Sequence, residues 1–162
     1  MSYNNITLGN VNANNVGTLA IIVNSTLPIT YPDTFFNEVL TSDRGTFYSK
    51  IAYFNEIPVG SIKAKLIQNS KSRISSTGIY IEFITVLEHY QNKGIGKILL
   101  QYIEDECKRS YQHSIYIHVA VDNTNAITWY EKNDFKREGD ILKGYYKDTT
   151  GSPDAYILKK NV

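Results

Sequence analysis

The segment Gly78-Ile79-Tyr80-Ile81-Glu82-Phe83-Ile84-Thr85-Val86-Leu87 constrains the fold more than any other. Apart from Gly78 and Glu82, every position is aliphatic, aromatic or β-branched. A strand of that composition has no face to spare for water, so it is predicted to lie centrally in a sheet covered on both sides. Gly94-Ile95-Gly96 then opens a helix whose Ile98, Leu99, Tyr102 and Ile103 supply a buried face. Residues 114–120 alternate as a further strand, and 124–133 read as a further helix. Strand–helix–strand passages within one sheet need a crossover between parallel strands. The chain is therefore predicted to be α/β, with a mixed central β-sheet flanked by helices.

The rest of the chain adds antiparallel strands and a helical start. Val16, Leu19, Ala20 and Val23 fall on one helix face, with Asn14 or Asn15 as cap and Pro28 as the stop. A short helix is expected over 32–40, with Phe35, Phe36, Val39 and Leu40 facing inward. Two β-rich runs, 46–54 and 57–68, are separated by Asn55-Glu56, which reads as a hairpin turn. Residues 69–77 are polar and Ser-rich, with Lys71 and Arg73, and are expected to form a mobile loop. A last β segment is expected at 155–158. No stretch has the composition of an interdomain linker, so residues 1–162 are predicted to be one domain.

Several function classes lose their support at this point. With 17 basic and 16 acidic side chains there is no electrostatic case for direct binding of nucleic acid or an anionic membrane. The longest aliphatic run, 19–23, is far too short to span a bilayer. The one cysteine, Cys107, excludes an internal disulfide and a cysteine-rich zinc site, and it is expected to be a small buried side chain. Residues 1–10 lack the basic and apolar stretches of a signal peptide, so a reducing compartment is expected. The acceptor patterns Asn5-Ile6-Thr7 and Asn24-Ser25-Thr26 are then expected to go unused. His89 and His113 have no motif context and are read as surface residues.

The turn after the central strand carries the chemistry. Gln91-Asn92-Lys93-Gly94-Ile95-Gly96-Lys97 places backbone N–H groups at a helix start, where unpaired amides and the helix dipole attract an anion. Glycines at 94 and 96 remove Cβ atoms that would hold a phosphate away. A Walker loop fails because Ile98 follows Gly96-Lys97, and a dinucleotide fingerprint fails because Leu99 replaces its third glycine. What remains is (R/Q)-x-x-G-x-(G/A), a pattern that chance gives in about one chain of this length in ten. Its position after a buried strand adds weight. This loop resembles the pyrophosphate loop of the GCN5-related N-acetyltransferase (GNAT) superfamily. A second segment, from Val119 through Asn123, Ala126, Trp129 and Tyr130 to Phe135, is similar to the superfamily's Asn/Tyr segment in the expected order and spacing. The glycine of that pattern is Asp134 here, and Asp tolerates the left-handed conformation the turn needs.

The resemblance narrows further. Leu27-Pro28-Ile29-Thr30-Tyr31, Ile51-Ala52-Tyr53-Phe54-Asn55, Ile57-Pro58-Val59-Gly60, Tyr116-Ile117-His118-Val119, Tyr145-Tyr146 and Asp154-Ala155-Tyr156-Ile157-Leu158 occur in order. Together they resemble the catalytic subunits of the NatE-type N-α-acetyltransferase family across residues 6–161. The resemblance implies a single GNAT domain that moves acetyl from acetyl-CoA, without a metal, to protein N-termini beginning with Met and a hydrophobic residue. It also implies weaker lysine acetylation, association with a NatA-type complex at the ribosome, and a cytoplasmic location with the nucleus as a second site. The catalytic pair falls on Tyr80 and His118. Acetyl-CoA falls on Ile84, Thr85 and Val86, on residues Gln91, Asn92, Lys93, Gly94, Ile95, Gly96 and Lys97, and on Asn123, Ala126 and Tyr130. The substrate peptide falls on Leu27, Pro28, Ile29, Tyr31, Glu82, Tyr145 and Tyr146.

Residue chemistry agrees with part of that assignment. Tyr80, Glu82 and Ile84 alternate onto one expected strand face, as do Tyr116 and His118 on theirs, so adjacent parallel strands would bring Tyr80 near His118. An α-amine titrates near pH 7.7–8.0, so a modest base suffices, directly or through water. Tyrosine would position that water or protonate the leaving thiolate, and backbone N–H groups near Thr85 and Val86 would polarise the thioester oxygen. Glu82, where relatives have Met, is a rival base and a berth for a basic second residue of the peptide. Gln91 and Asn92 replace two arginines of the relatives, so weaker acetyl-CoA binding is expected. Two alternatives stay open: a non-catalytic GNAT-fold subunit of a NatA-type complex, and a small-molecule amine acetyltransferase.

Overall fold

A computed structural model describes residues 5–27, 31–40, 47–67, 77–147 and 151–162. The chain runs through β1 (Ile6–Asn10), α1 (Val16–Thr26), α2 (Asp33–Asn37), β2 (Phe47–Phe54), β3 (Ile57–Ile67) and β4 (Gly78–Val86). It continues through α3 (Ile95–Arg109), β5 (Ser114–Ala120), α4 (Thr124–Lys132), β6 (Lys136–Leu142) and β7 (Ala155–Asn161). The strands form one sheet in the order β1-β2-β3-β4-β5-β7-β6, with β4 in the middle as its apolar sequence requires. β4 and β5 pair in parallel across the α3 crossover, and the other paired strands are antiparallel.

Each face of the sheet has its own core. Ile95, Leu99, Leu100, Ile103 and Cys107 of α3 pack with Ile62, Ile79, Ile81, Ile115 and Ile117 on one side. Leu19, Ile22 and Val23 of α1 and Phe36 of α2 close the other side over Ile51 and Phe83. The buried face of α3 therefore differs from the expected one. Leu99 and Ile103 are buried as predicted, but Ile98 and Tyr102 sit at the margin, because the stripe that faces the sheet runs through Ile95, Leu99, Leu100, Ile103 and Cys107 and leaves those two beside it.

Local departures have simple causes. Asn15 stands at the N-cap of α1 without a side-chain capping bond. Its Oδ1 accepts from the Asn12 N–H at 2.7 Å and its amide donates to the Asn10 carbonyl at 2.9 Å, so it secures the turn before the helix instead. α2 ends at Asn37 and a 3₁₀ turn carries on over Glu38–Leu40, which rotates Leu40 into solvent. β1 and β6 escaped the sequence pattern: β1 buries only Ile6, and β6 is charged and exposed along nearly its whole length. The expected mobile loop at 69–77 falls almost wholly outside the described residues.

One irregularity reaches the site. Opposite β4, Lys63 pairs with Phe83 and Ala64 pairs with Ile81, so Glu82 is an extra residue bulged out of the ladder. The bulge shifts the alternation. Ile81 packs under α3, Phe83 packs under α1 and α2, and Ile84 returns to the α3 side. Ile84 consequently does not share the face of Tyr80, contrary to simple alternation.

The turn at Asn55 and Glu56 has φ of 49° and 71°, the left-handed pair that suits the twist of a two-residue hairpin. Glutamate is strained there, whereas glycine is not. Glu56→Gly should stabilise the protein by about 1 kcal/mol in urea unfolding; a loss of stability would mean that the Glu56 side chain contributes more than the strain costs.

Candidate active site

The β4–β5 ladder holds only the register pairs Ile79 with Ile115 and Tyr80 with Tyr116. Both strands run on, to Val86 and Ala120, without pairing again. Their divergence opens a wedge at the carboxyl ends of parallel strands, where open α/β sheets bind ligands. A cavity of about 420 Å³ lies there. Leu27, Tyr31 and Phe35 line it from the α1–α2 side, and Asn123, Ala126 and Tyr130 from α4.

Tyr80 and His118 come from the two strands that part, and the Tyr80 hydroxyl lies 2.6 Å from His118 Nδ1. The Tyr145 ring stacks on the imidazole with centroids 4.2 Å apart and planes 15° apart. His118 is only 7% exposed, and its Nε2 is buried with no hydrogen-bond partner among the described residues. Burial pushes the His118 pKa down to about 4. Burial, then Tyr145, Tyr146 and Glu82, keep the Tyr80 phenol far above its ordinary range. Both members of the pair are neutral at pH 7, joined at one ring nitrogen, with the other nitrogen unspent.

The loop before α3 turns into the helix at Gly94, as expected, but its two glycines have different jobs. Gly94 is the N-cap of α3 at φ 83°, and nothing lies within 4 Å of where a Cβ would stand. Gly96 serves packing: a Cβ there would come within 3.1 Å of the Trp129 ring of α4. Asn92 is also left-handed, at φ 64°. The Gln91 amide donates to the Val86 carbonyl at 3.0 Å, tying the loop to the end of β4. Lys93 and Lys97 are exposed, with the Lys93 ammonium 5.5 Å over the Phe54 ring. Ile95 is core. Thr85 hydrogen-bonds through its hydroxyl to Thr26, and Val86 packs against the α3 core. Ile84 alone of the three at the β4 end lines the cavity. Asn123 caps α4 by accepting from the Ala126 N–H at 3.3 Å. Asp134 stands at φ 71°, as the missing glycine demanded.

The groove on the α1–α2 side gathers most of the expected substrate residues. Tyr31 stacks on Phe35 at 4.2 Å, and Tyr145 meets Tyr146 edge-on at 5.0 Å. Burial and the neighbouring Tyr145 raise the Tyr146 phenol to about 12, so it too stays protonated. Pro28 and Ile29 lie outside the described residues. Glu82 lines the cavity, but its Oε1 accepts from the Lys63 ammonium at 2.6 Å. That ion pair weakens Glu82 both as a free base and as a berth for a basic side chain. Lys63, wholly buried, and Phe35 and Lys65, which line the cavity, were missed as site residues by the sequence reading; the signal for Lys63 was a lone charge in the otherwise uncharged run 57–64.

Comparison with known proteins places this geometry in a class. Residues 18–135 match the model of the acetyltransferase (GNAT) family. The chain is 31% identical over 160 residues to "N-alpha-acetyltransferase 50" of Danio rerio, covering 97% of this chain and 89% of that protein. It is 34% identical over 159 residues to an N-alpha-acetyltransferase of Saccharolobus solfataricus, covering 95% and 92%. The solved structure of Arabidopsis thaliana Naa50 with the bisubstrate analogue CoA-Ac-MVNAL superposes with a TM-score of 0.83 at 28% identity, covering 98% of this chain and 99% of that one. The chain belongs to the acetyltransferase (GNAT) family. Within it, the protein is an acetyl-CoA-dependent acetyltransferase related to the Naa50-type N-terminal acetyltransferases.

The buried His118 makes a prediction about stability. Its folded pKa of about 4 lies below the ordinary 6.5, so between those values the unfolded chain binds more protons than the folded one. Stability is therefore gained as pH rises through this window and lost as pH falls from 6.5 to 4. Urea unfolding at several pH values should show His118→Asn losing less stability than wild type between pH 7 and 4.5. Equal acid losses in the two proteins would contradict a neutral buried imidazole.

Proposed function

We propose that the protein acetylates the α-amine of protein N-termini that begin with Met followed by a hydrophobic residue. The observation that carries this reading is the neutral Tyr80–His118 pair, hydrogen-bonded at 2.6 Å inside a cavity with one aromatic, aliphatic side. The Arabidopsis relative was solved with an analogue that joins CoA to a Met-Val peptide, which supports the same class of substrate.

The residues fit the co-substrate. Acetyl-CoA supplies an activated acetyl group as a thioester. The backbone of Gln91 to Lys97 and the start of α3 would hold its pyrophosphate, because first-turn amides lack helical partners and Gly94 has open space beside it. Ile84, Asn123, Ala126 and Tyr130 would enclose its arm in the wedge.

Acetyl transfer forms a bond from the amine nitrogen to the acetyl carbon and breaks the carbon–sulfur bond. One amine proton must leave, and the thiolate must gain one. At neutral pH a substantial fraction of α-amines is already unprotonated, so the demand is to accept a proton as the new bond forms. His118 supplies a neutral imidazole whose Nε2 is unspent. Tyr80 fixes the imidazole orientation, and its raised pKa makes it a poor donor to a thiolate, which favours the positioning role over the acid role. Leu27, Tyr31 and Phe35 would bury an apolar first side chain, an interaction of about 1.5–3 kcal/mol when fully enclosed. A small-molecule amine acetyltransferase loses its main support, since Glu82 is already paired with Lys63. Association with a NatA-type complex is part of the proposal and is tested by co-purification.

With acetyl-CoA saturating, peptides starting Met-Leu or Met-Val should be acetylated faster than peptides starting Ser or Ala. His118→Ala should lower turnover about 10²–10⁴-fold, and Tyr80→Phe should lower it strongly, each with little change in acetyl-CoA affinity. If Ser-initiated peptides win, the groove has been misread. If His118→Ala keeps wild-type turnover, the base lies elsewhere.

A further inference from the structure

Among the described residues, one ion cluster is built into the wall of the substrate groove, and the reaction itself does not use it. Lys63 is 0% exposed on β3, yet it carries an ammonium. It donates to Glu82 Oε1 at 2.6 Å and to Glu38 Oε1 at 2.8 Å. Its Nζ also sits 3.8 Å from the centroid of the Phe35 ring and 4.8 Å from that of Phe47. Phe35 is the ring on which Tyr31 stacks, so the lysine supports the aromatic wall as well as the carboxylate.

The two carboxylates differ in their access to water. The Glu38 side chain is 41% exposed and shares its charge with solvent. The Glu82 side chain is 12% exposed, lines the cavity, and has been pushed out of the strand ladder by the β4 bulge. A carboxylate so placed would draw a cation into an otherwise apolar groove, unless an internal cation satisfies it. Lys63 is that cation.

We infer that Lys63 determines the specificity of the substrate groove by masking Glu82, so that the groove accepts an apolar rather than a cationic side chain near the peptide N-terminus. The inference rests on the N-terminal acetyltransferase reading and deepens it. Without the lysine, Glu82 faces Tyr80 on its own strand, Tyr31 beside α2, and the more distant, hydrated Glu38. Among the described residues, the cation lining the cavity is Lys65, which is exposed, with its ammonium 5.8 Å from the Tyr80 ring centroid. Hydrated there, it leaves Glu82 open to a positive charge brought by the substrate.

The test compares kcat/KM for Met-Leu and Met-Lys peptides with acetyl-CoA saturating, in wild type, Lys63→Met, Lys63→Gln and Lys63→Met/Glu82→Met. Wild type should favour Met-Leu. Each single variant should shift the ratio toward Met-Lys at least tenfold, and the double variant should return to the wild-type ratio, since it removes mask and charge together. Lys63→Gln keeps a hydrogen-bond donor for Glu82 and so provides a folded comparison if Lys63→Met does not fold. A structural defect alone would lower both activities and leave the ratio unmoved. An unchanged ratio in the folded single variant, a shift that persists in the double variant, or a wild-type preference for Met-Lys overturns the inference. Absence of acetylation of every peptide by a wild-type protein that binds acetyl-CoA overturns the underlying reading instead.

Discussion

The parallel pairing of β4 with β5 stops after Tyr80 and Tyr116, and the site depends on that early stop. Had the ladder continued, the strands beyond these residues would have filled the space that the cavity occupies. Because they part, Tyr80 and His118 are brought together just where the sheet opens, and α4 can cover one side of the opening while α1 and α2 cover the other. The antiparallel neighbours keep the parted strands in place. β3 holds β4 along its length, and β7 pairs with every residue of β5 from Ser114 to Ala120. An opening of this kind needs that external bracing, since each parted strand has only one ladder left.

The bulge at Glu82 is the second device. It turns Phe83 toward α1 and α2 and leaves Ile84 on the α3 side, so one short strand serves both cores and the cavity between them. Bulges commonly re-aim side chains beside active sites. The cost here is a carboxylate in a poorly hydrated place, and the buried Lys63 offsets it. The Tyr80–His118 pair takes the opposite solution to the same shortage of water. Its members stay neutral, with the imidazole pushed down to about 4 by burial.

Much of this was legible in the chain, for reasons that can be traced to residues. The run from Ile79 to Leu87 forced a central strand, and Gly94 before an amphipathic helix forced the crossover, so the α/β class followed, while the family rested on the resemblance of the Gln91–Gly96 loop and of the segment from Val119 to Phe135. The parity of Tyr80 and His118 on neighbouring strands also pointed to their meeting. Alternation failed for Ile84, because a bulge leaves no mark in a pattern of period two. β6 was hidden because its partner bonds come from the backbone while its side chains are polar and exposed. Gly96 was misread for a similar reason: the atom that excludes a side chain there belongs to Trp129, 33 positions on in sequence. The Lys63–Glu82 pair spans strands and became visible only with their register.

The central claim is that acetyl transfer takes place at a neutral Tyr80–His118 pair in the opening between β4 and β5. Its most direct test is the imidazole ¹⁵N titration of His118 by NMR, with and without a bound conjugate of CoA and a Met-Leu peptide. His118 should stay neutral down to pH 5, and its Nε2 resonance should move when the conjugate binds. A midpoint near 6.5, or an Nε2 resonance indifferent to the conjugate, would contradict it.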